Sequence, residues 1–317
     1  MRPLRRPPPE ARKRWIELPA TVAAKAEITR LVDDAIRLKQ VDRTTVLASE
    51  DFKNVWNEKE WRGAIRLAQD WLCAWCTVDT RKGGDTGDID HIRPRTEVTR
   101  DVAAVGKEGQ GTNVSGRPLL PRPPLRPGYY WRAYDPENLV FSCKRCNTGW
   151  EKTLWPVKPW RQATSWLVPA LNIAEDELLL NPFEQDFNPL DHFRFGAQGT
   201  IVPRDGDERA DVTIITLGLD RPSLCEARAD EHIRIDTDAP AVIRALDNAK
   251  PGSDDEKFLR RIANHCAWSS PHAAFYRVAL MRELRERRVF WADLRNAWDL
   301  LGLAPDIQKP PDDAWVD

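Results

Sequence analysis

Asn138-Leu139-Val140-Phe141-Ser142-Cys143-Lys144-Arg145-Cys146-Asn147 is the stretch on which the fold turns. An asparagine leads into a short apolar run, enough for one small strand, and a C-x-x-C pair follows at once. A second pair, Cys73-Ala74-Trp75-Cys76, ends 66 residues before the first begins. Each pair sets two thiolates on one tight turn, and two such turns supply a tetrahedral four-sulfur set for zinc. Redox use of one pair is the alternative. The interval exceeds that of a zinc ribbon, so the pairs bracket a module. Met1 to Trp15 is basic and Pro-rich with no apolar stretch behind it, which does not read as a secretory signal. A reducing, cytoplasmic setting is therefore expected, and it favours metal over disulfides.

Between the pairs, Gly87-Asp88-Ile89 alternates into Asp90-His91, the expected end of a second strand. The order along the chain is then Cys pair, Asp-His, Asn, Cys pair, Asn, with eight residues between Asn138 and Asn147. In this order the chain resembles the HNH endonucleases of the ββα-metal fold. Further stretches resemble a bacterial subgroup, the HNH proteins found with ATPases in retron and Septu-type anti-phage systems. These stretches are Asp90-His91-Ile92-Arg93-Pro94-Arg95, Tyr129 to Asp135, Leu178 to Pro182, His192 to Phe195 and Thr216 to Pro222. The likeness covers about residues 65–235.

The resemblance implies that Asp90 and Asn147 hold a catalytic Mg²⁺ or Mn²⁺, that His91 is the general base and that Asn138 orients His91. It implies structural zinc on Cys73, Cys76, Cys143 and Cys146, nucleic acid as substrate, DNA rather than RNA, and an ATPase partner. The chemistry suits those residue types. Neutral imidazole takes a proton from water near pH 7. A carboxylate and an amide oxygen are hard donors of the kind Mg²⁺ accepts while keeping waters and phosphate oxygens. Asn147 stands where many HNH proteins carry histidine, which weakens the case for a transition metal there. Adjacent Asp90 and His91 point to opposite faces if both are extended. Arg93, Arg95, Lys144, Arg145 and Lys152 are the candidates for phosphate contact, arginine by a bidentate fork and lysine as a point charge.

Further out, charge divides the chain. The formal net charge of −1 argues against a nucleic-acid binder, but residues 1–165 carry 30 Lys/Arg against 21 Asp/Glu and residues 166–317 carry 18 against 28. The Asp-His and Cys-x-x-Cys-Asn motifs fall in the basic part. The acidic part is a candidate docking surface for the ATPase. Three regions are expected: a basic arm and helical brace over 1–65, the nuclease core over 66–165, and a mainly helical acidic domain over 166–317. Within the core, about 94–128 reads as a long Gly/Pro-rich insertion. The fold class expected is α+β: a small ββα-metal core with cysteine knuckles, flanked by helices.

Apolar spacing predicts helices over 20–39 and 49–72, and after the hairpin of 192–195 with 200–202, over 211–218, 221–235, 238–249, 254–267, 271–287 and 289–301. Residues 2–14 read as an extended basic arm, and the tail from Pro305 as loose. Nowhere is there an apolar run of membrane-spanning length, so no membrane partner is expected; mean hydropathy is −0.57. His192, His232, His265 and His272 lack carboxylate or cysteine partners at ligand spacing, and Cys225 and Cys266 read as small buried apolar residues. Nine of the fourteen tryptophans lie between Trp56 and Trp166; packing explains them better than base stacking. Against the nuclease stands a rival class, a zinc-braced module that binds nucleic acid or protein without cutting.

Overall fold

Alternation into Asp90-His91 and the apolar run Leu139–Phe141 predict two short strands, and the computed structural model forms them as β1 (Asp88–His91) and β2 (Leu139–Ser142), paired antiparallel. The structure describes residues 1–37, 47, 49–81, 87–99, 128–158, 176–303 and 307–316; most of the 94–128 insertion lies outside them. In the pairing register Ile89 opposes Phe141 and His91 opposes Leu139, while Asp90 opposes Val140. Opposed residues share a face. One face therefore presents Ile89, His91, Leu139 and Phe141, and the other presents Asp90, Val140 and Ser142. Each face meets its own core: Ile89, Leu139 and Phe141 pack with Trp15, Ile28, Trp56, Trp61 and Ile65, and Val140 packs with the four cysteines and Trp155.

The first core is built by the N-terminal helices α1 (Pro9–Glu17), α2 (Pro19–Arg37) and α3 (Lys59–Ala68). The single helix expected over 49–72 is broken. Short 3₁₀ turns occupy Ser49–Asp51 and Val55–Asn57, and the Glu58 carboxylate accepts from the N–H groups of Glu60 and Trp61, starting α3 afresh. Gln69 then ties α3 to β2: its amide donates to Phe141 O and accepts from Phe141 N, both at 2.9 Å. The expected basic arm is partly helical and its arginines are engaged. Arg2 is buried, bonding Asp70 and the carbonyls of Gln69 and Trp268. Arg6 and Arg12 pair with Glu137, and Arg14 with Glu60.

After β2 comes a short π-helix, Arg145–Glu151, then the small pair β3 (Val157–Lys158) and β4 (Asp176–Glu177). β5 (Phe193–Gly196) and β6 (Ile201–Pro203) form the expected hairpin. The tail is not loose where described: β7 (Trp315–Val316) adds parallel to β5, and Ala314 is fully buried. α4 (Glu208–Leu217), α5 (Pro222–Asn248), α6 (Asp254–Cys266), α7 (Ala273–Glu286) and α8 (Trp291–Leu300) complete the second core. The two helices expected over 221–249 are one, running through Pro240; Ile235, Ala239 and Val242 on either side of it are buried, and that packing outweighs the lost backbone bond. Cys266 is buried as expected, whereas Cys225 is half-exposed and donates to Asp220 O. Among the described residues no helix is long and apolar enough to cross a membrane.

α4 ends on Gly218, whose left-handed φ of 54° suits glycine, and the space a Cβ would take there is filled by the Trp150 indole of the π-helix. Gly218→Ala is therefore expected to destabilise the protein by about 2–3 kcal/mol in urea unfolding. Gly63→Ala, in open space on α3, is expected to be neutral or slightly stabilising.

Candidate functional site

Cys73 and Cys76 sit on a turn just after α3, closed by Cys73 N donating to Val78 O and Thr77 N to Cys73 O. Cys143 lies directly after β2 and Cys146 in the first turn of the π-helix. All four thiols are buried, none is in a disulfide, and their sulfurs lie within 4.8 Å of one another. Cys76 and Cys143 Sγ are 3.7 Å apart, close to the ~3.8 Å edge of a tetrahedron with zinc–sulfur bonds of about 2.3 Å. The four cysteines are thus a set that can hold a zinc ion. A zinc with four thiolates carries a net charge of −2, and a counter-charge is in place: both terminal nitrogens of Arg221 lie 3.7 Å from Cys146 Sγ, in a side chain only 7% exposed. Arg221 also donates to the carbonyls of Leu217 and Gly218 at the end of α4. The stretch Thr216 to Pro222 thus serves the cysteine centre, Gly218 by packing and Arg221 by charge.

Asp90 and His91 leave β1 on opposite faces. Asp90 points to the cysteine side, where its Oδ2 accepts from Ser142 Oγ at 2.8 Å and from the Trp75 indole N–H at 3.3 Å. Burial raises its pKa. Against it lies Glu151, the last residue of the π-helix, 1% exposed and driven well above the usual carboxylate range by burial and then by the Asp90 charge. Among the described residues neither Glu151 oxygen meets a donor in full hydrogen-bonding geometry, though Asp90 and the Trp75 indole both act on the carboxyl. Asn147, half-buried, is four residues earlier on the same short helix.

His91 points the other way, edge-on to Trp56 with ring centroids 4.8 Å apart, and is 5% exposed. Its Nδ1 is 3.1 Å from Arg95 Nη1 and its Nε2 is 3.0 Å from Ala133 O. Guanidinium only donates and carbonyl oxygen only accepts, so the proton sits on Nε2 and Nδ1 receives the Arg95 N–H. Burial, then the Arg95 charge, lower the His91 pKa to about 3. Arg95 lies flat over Trp56 at 4.5 Å. Asn138 accepts from Arg93 N and donates to the carbonyls of Arg93 and Arg132. It therefore pins the turn after His91 to the segment whose Ala133 carbonyl holds the imidazole; its own bonds among the described residues go to backbone.

The basic candidates separate. Arg93 is buried, ion-paired with Glu177 and stacked over Tyr129 and Trp155. Lys144, Arg145 and Lys152 are exposed around the π-helix, Arg145 donating to Ser223 Oγ. Spatial partners absent from the local spacing appear for histidines elsewhere: His192 with Asp207 at 2.7 Å and His232 with Glu283 at 3.1 Å. The tryptophans that are described pack, as in the Trp15–Trp61 stack at 4.8 Å and the fully buried Trp75 and Trp155; Trp160 and Trp166 lie outside the described residues. Sequence reasoning passed over Glu151 and Arg221. The signal for Glu151 was its four-residue spacing from Asn147; for Arg221 it was a basic residue inside a stretch already singled out.

No protein-family model matches the chain, and no solved structure matches it. The chain is 32% identical over 142 residues to Septu protein PtuB of Bacillus mycoides (strain KBAB4), across 45% of this chain and 41% of that protein. It spans less than half the length of that relative, and the similarity supports a relation to Septu-type proteins.

Proposed function

We propose that the chain is a metal-dependent endonuclease of HNH type that hydrolyses phosphodiester bonds, in DNA rather than RNA, and acts in anti-phage defence beside an ATPase. The observation that carries this reading is the hairpin register, with a helix starting directly after β2 and cysteines bracing both. In this reading that arrangement puts an acid and an amide on the side of the zinc knuckles and the histidine on the opposite face of the hairpin. The similarity to a Septu protein supports the defence setting and a partner.

In this reading Asp90 and Asn147 hold the Mg²⁺ or Mn²⁺, which when bound neutralises charge at the scissile phosphate. His91 takes a proton from the attacking water at Nδ1, the nitrogen that carries no hydrogen. The Ala133 carbonyl fixes the imidazole tautomer, and Asn138 acts on His91 only through the backbone segment that carries that carbonyl. Lys144, Arg145 and Lys152 lie exposed where backbone phosphates would run, whereas Arg93 serves the fold. A non-cutting binding module is the second reading, favoured by the burial of His91 and the guanidinium on its Nδ1.

Zinc-loaded protein incubated with supercoiled plasmid, alone and with the ATPase, tests the choice. Nicking is expected only when Mg²⁺ or Mn²⁺ is added. It is expected to vanish in Asp90→Asn, with zinc content and melting temperature kept. Plasmid binding without nicking under every divalent ion and partner condition would establish the binding module instead.

A further inference from the structure

We infer that the segment from Ser49 to Asn57 is a lid, which shuts the histidine face of the β1–β2 hairpin and must swing aside before His91 can meet a substrate. The inference rests on the reading of His91 as general base and deepens it, from the residue to what keeps that residue silent.

A base that takes a proton from water needs that water within hydrogen-bond reach of a ring nitrogen. His91 is 5% exposed, and both its nitrogens are engaged by the protein, Nε2 by Ala133 O and Nδ1 by Arg95. The 49–57 segment supplies the cover. Trp56 stands edge-on against the imidazole, and Phe52 and Trp56 are both buried, packed with Ile28, Tyr134 and Leu139. The Arg95 guanidinium lies against both rings, 4.5 Å from the Trp56 centroid and 5.5 Å from that of Phe52. The group that occupies Nδ1 therefore also holds down the cover.

The segment is built to move as a piece. It consists of two 3₁₀ turns and, among the described residues, pairs with no strand. Glu58, extended at ψ 135°, separates it from α3, which the Glu58 carboxylate caps afresh. The helix therefore need not break for the segment to leave. From outside, Tyr134 Oη donates to Lys53 O at 3.1 Å, and the Tyr134 ring stacks on Trp56 with centroids 5.8 Å apart. The Trp15 indole reaches Val55 O at 3.5 Å, too long for a strong bond. Ring packing and one phenol latch are the holding forces, and such elements belong to the low end of local stability. Burial of Phe52 and Trp56 keeps the shut form dominant. A nucleic-acid phosphate that draws Arg95 off the imidazole also takes the cation off both rings, so substrate arrival and lid release are coupled.

The test uses full-length zinc-loaded protein and diethyl pyrocarbonate as probe, with the carbethoxylation rate of each histidine read by peptide mass spectrometry and plasmid nicking with Mg²⁺ measured beside it. His232, buried beside Phe275 and Trp315, is the internal reference for global unfolding. Tyr134→Phe removes the bond to Lys53 and keeps the ring, and is expected to speed modification of His91 about fivefold, with nicking raised by a similar factor. Trp56→Ala is expected to speed His91 modification at least about tenfold. An unchanged His91 rate in both variants overturns the inference. So does a rise that His232 shares, which reports unfolding of the whole chain, and so does faster modification without faster nicking in a protein that cuts. Selective release of His91 in a protein that never cuts DNA would refute the nuclease reading and leave the lid standing. Cutting by wild type with His91 equally protected in both variants would do the reverse.

Discussion

Removing zinc from the four-cysteine centre is expected to unfold the hairpin and the π-helix together, lowering the melting temperature by at least about 15 °C. β1 and β2 are four residues each and, among the described residues, pair only with one another. A two-stranded sheet of that size is marginal unless something clamps it. The clamp is at both ends: Cys73 and Cys76 fasten the turn after α3, and Cys143 and Cys146 fasten the exit from β2. Structural zinc contributes on the order of 10 kcal/mol of apparent folding free energy at neutral pH, and at roughly 2 °C per kcal/mol for a large domain the shift follows. Stripping the ion adds a second penalty. Arg221, 7% exposed, would face protonated thiols with no anion opposite it, a buried charge left unpaired. Circular dichroism melts before and after chelation, and on Cys143→Ser, measure this; zinc-free protein melting at the holo temperature would reject the clamp. Because cysteines bind zinc as thiolates, the same loss is expected on acidification as protons displace the metal.

How much of this was legible in the sequence depended on the range of the interaction. The two C-x-x-C pairs, the alternation into Asp90, the apolar run around Val140, and the hairpin expected at 192–195 with 200–202 are local patterns with fixed geometry, and each is present. Helix ends were less legible. Glu58 breaks the 49–72 pattern through two backbone N–H groups, a contact no apolar periodicity registers. Pro240, a stop signal by itself, is overruled by Ile235, Ala239 and Val242 packing on both sides of it. Partnerships across long stretches of chain were not legible at all. Arg221 and Cys146 are 75 residues apart, and Arg2 meets Trp268 across 266. The candidate site divides the same way: Asp90, His91, Asn138 and Asn147 stand out by order. Their surroundings, Trp75, Trp56 and Glu151, come from packing.

His91→Ala is expected to lower nicking by about 10²–10⁴-fold, the usual contribution of a positioned general base, with zinc content unchanged. What sets this histidine apart is that its free lone pair is covered. Nδ1 holds the Arg95 N–H at 3.1 Å, so no water can give it a proton while that bond stands. Arg95 prefers a phosphate to a neutral imidazole, since a phosphate is anionic and offers two oxygens to the guanidinium fork. A DNA phosphate that draws Arg95 away would therefore uncover the base. Arg95→Ala should accordingly show two separable changes: a higher KM, from the lost phosphate contact, and an acid limb of kcat moved to higher pH. The sign follows from the cause. Burial and the Arg95 charge hold the His91 pKa down at about 3, and removing that charge lets it rise, so protonation disables the base at a higher pH than in wild type. Stability follows the same linkage. The unfolded imidazole titrates near 6.5 and the folded one lower, so the unfolded state binds more protons between those values. Stability is full above pH 6.5 and falls as pH drops toward 3, and His91→Ala should flatten that fall relative to wild type. An Arg95→Ala enzyme with unchanged KM and acid limb would show that the guanidinium neither meets phosphate nor guards the base; His91→Ala nicking at the wild-type rate would remove His91 from the chemistry altogether.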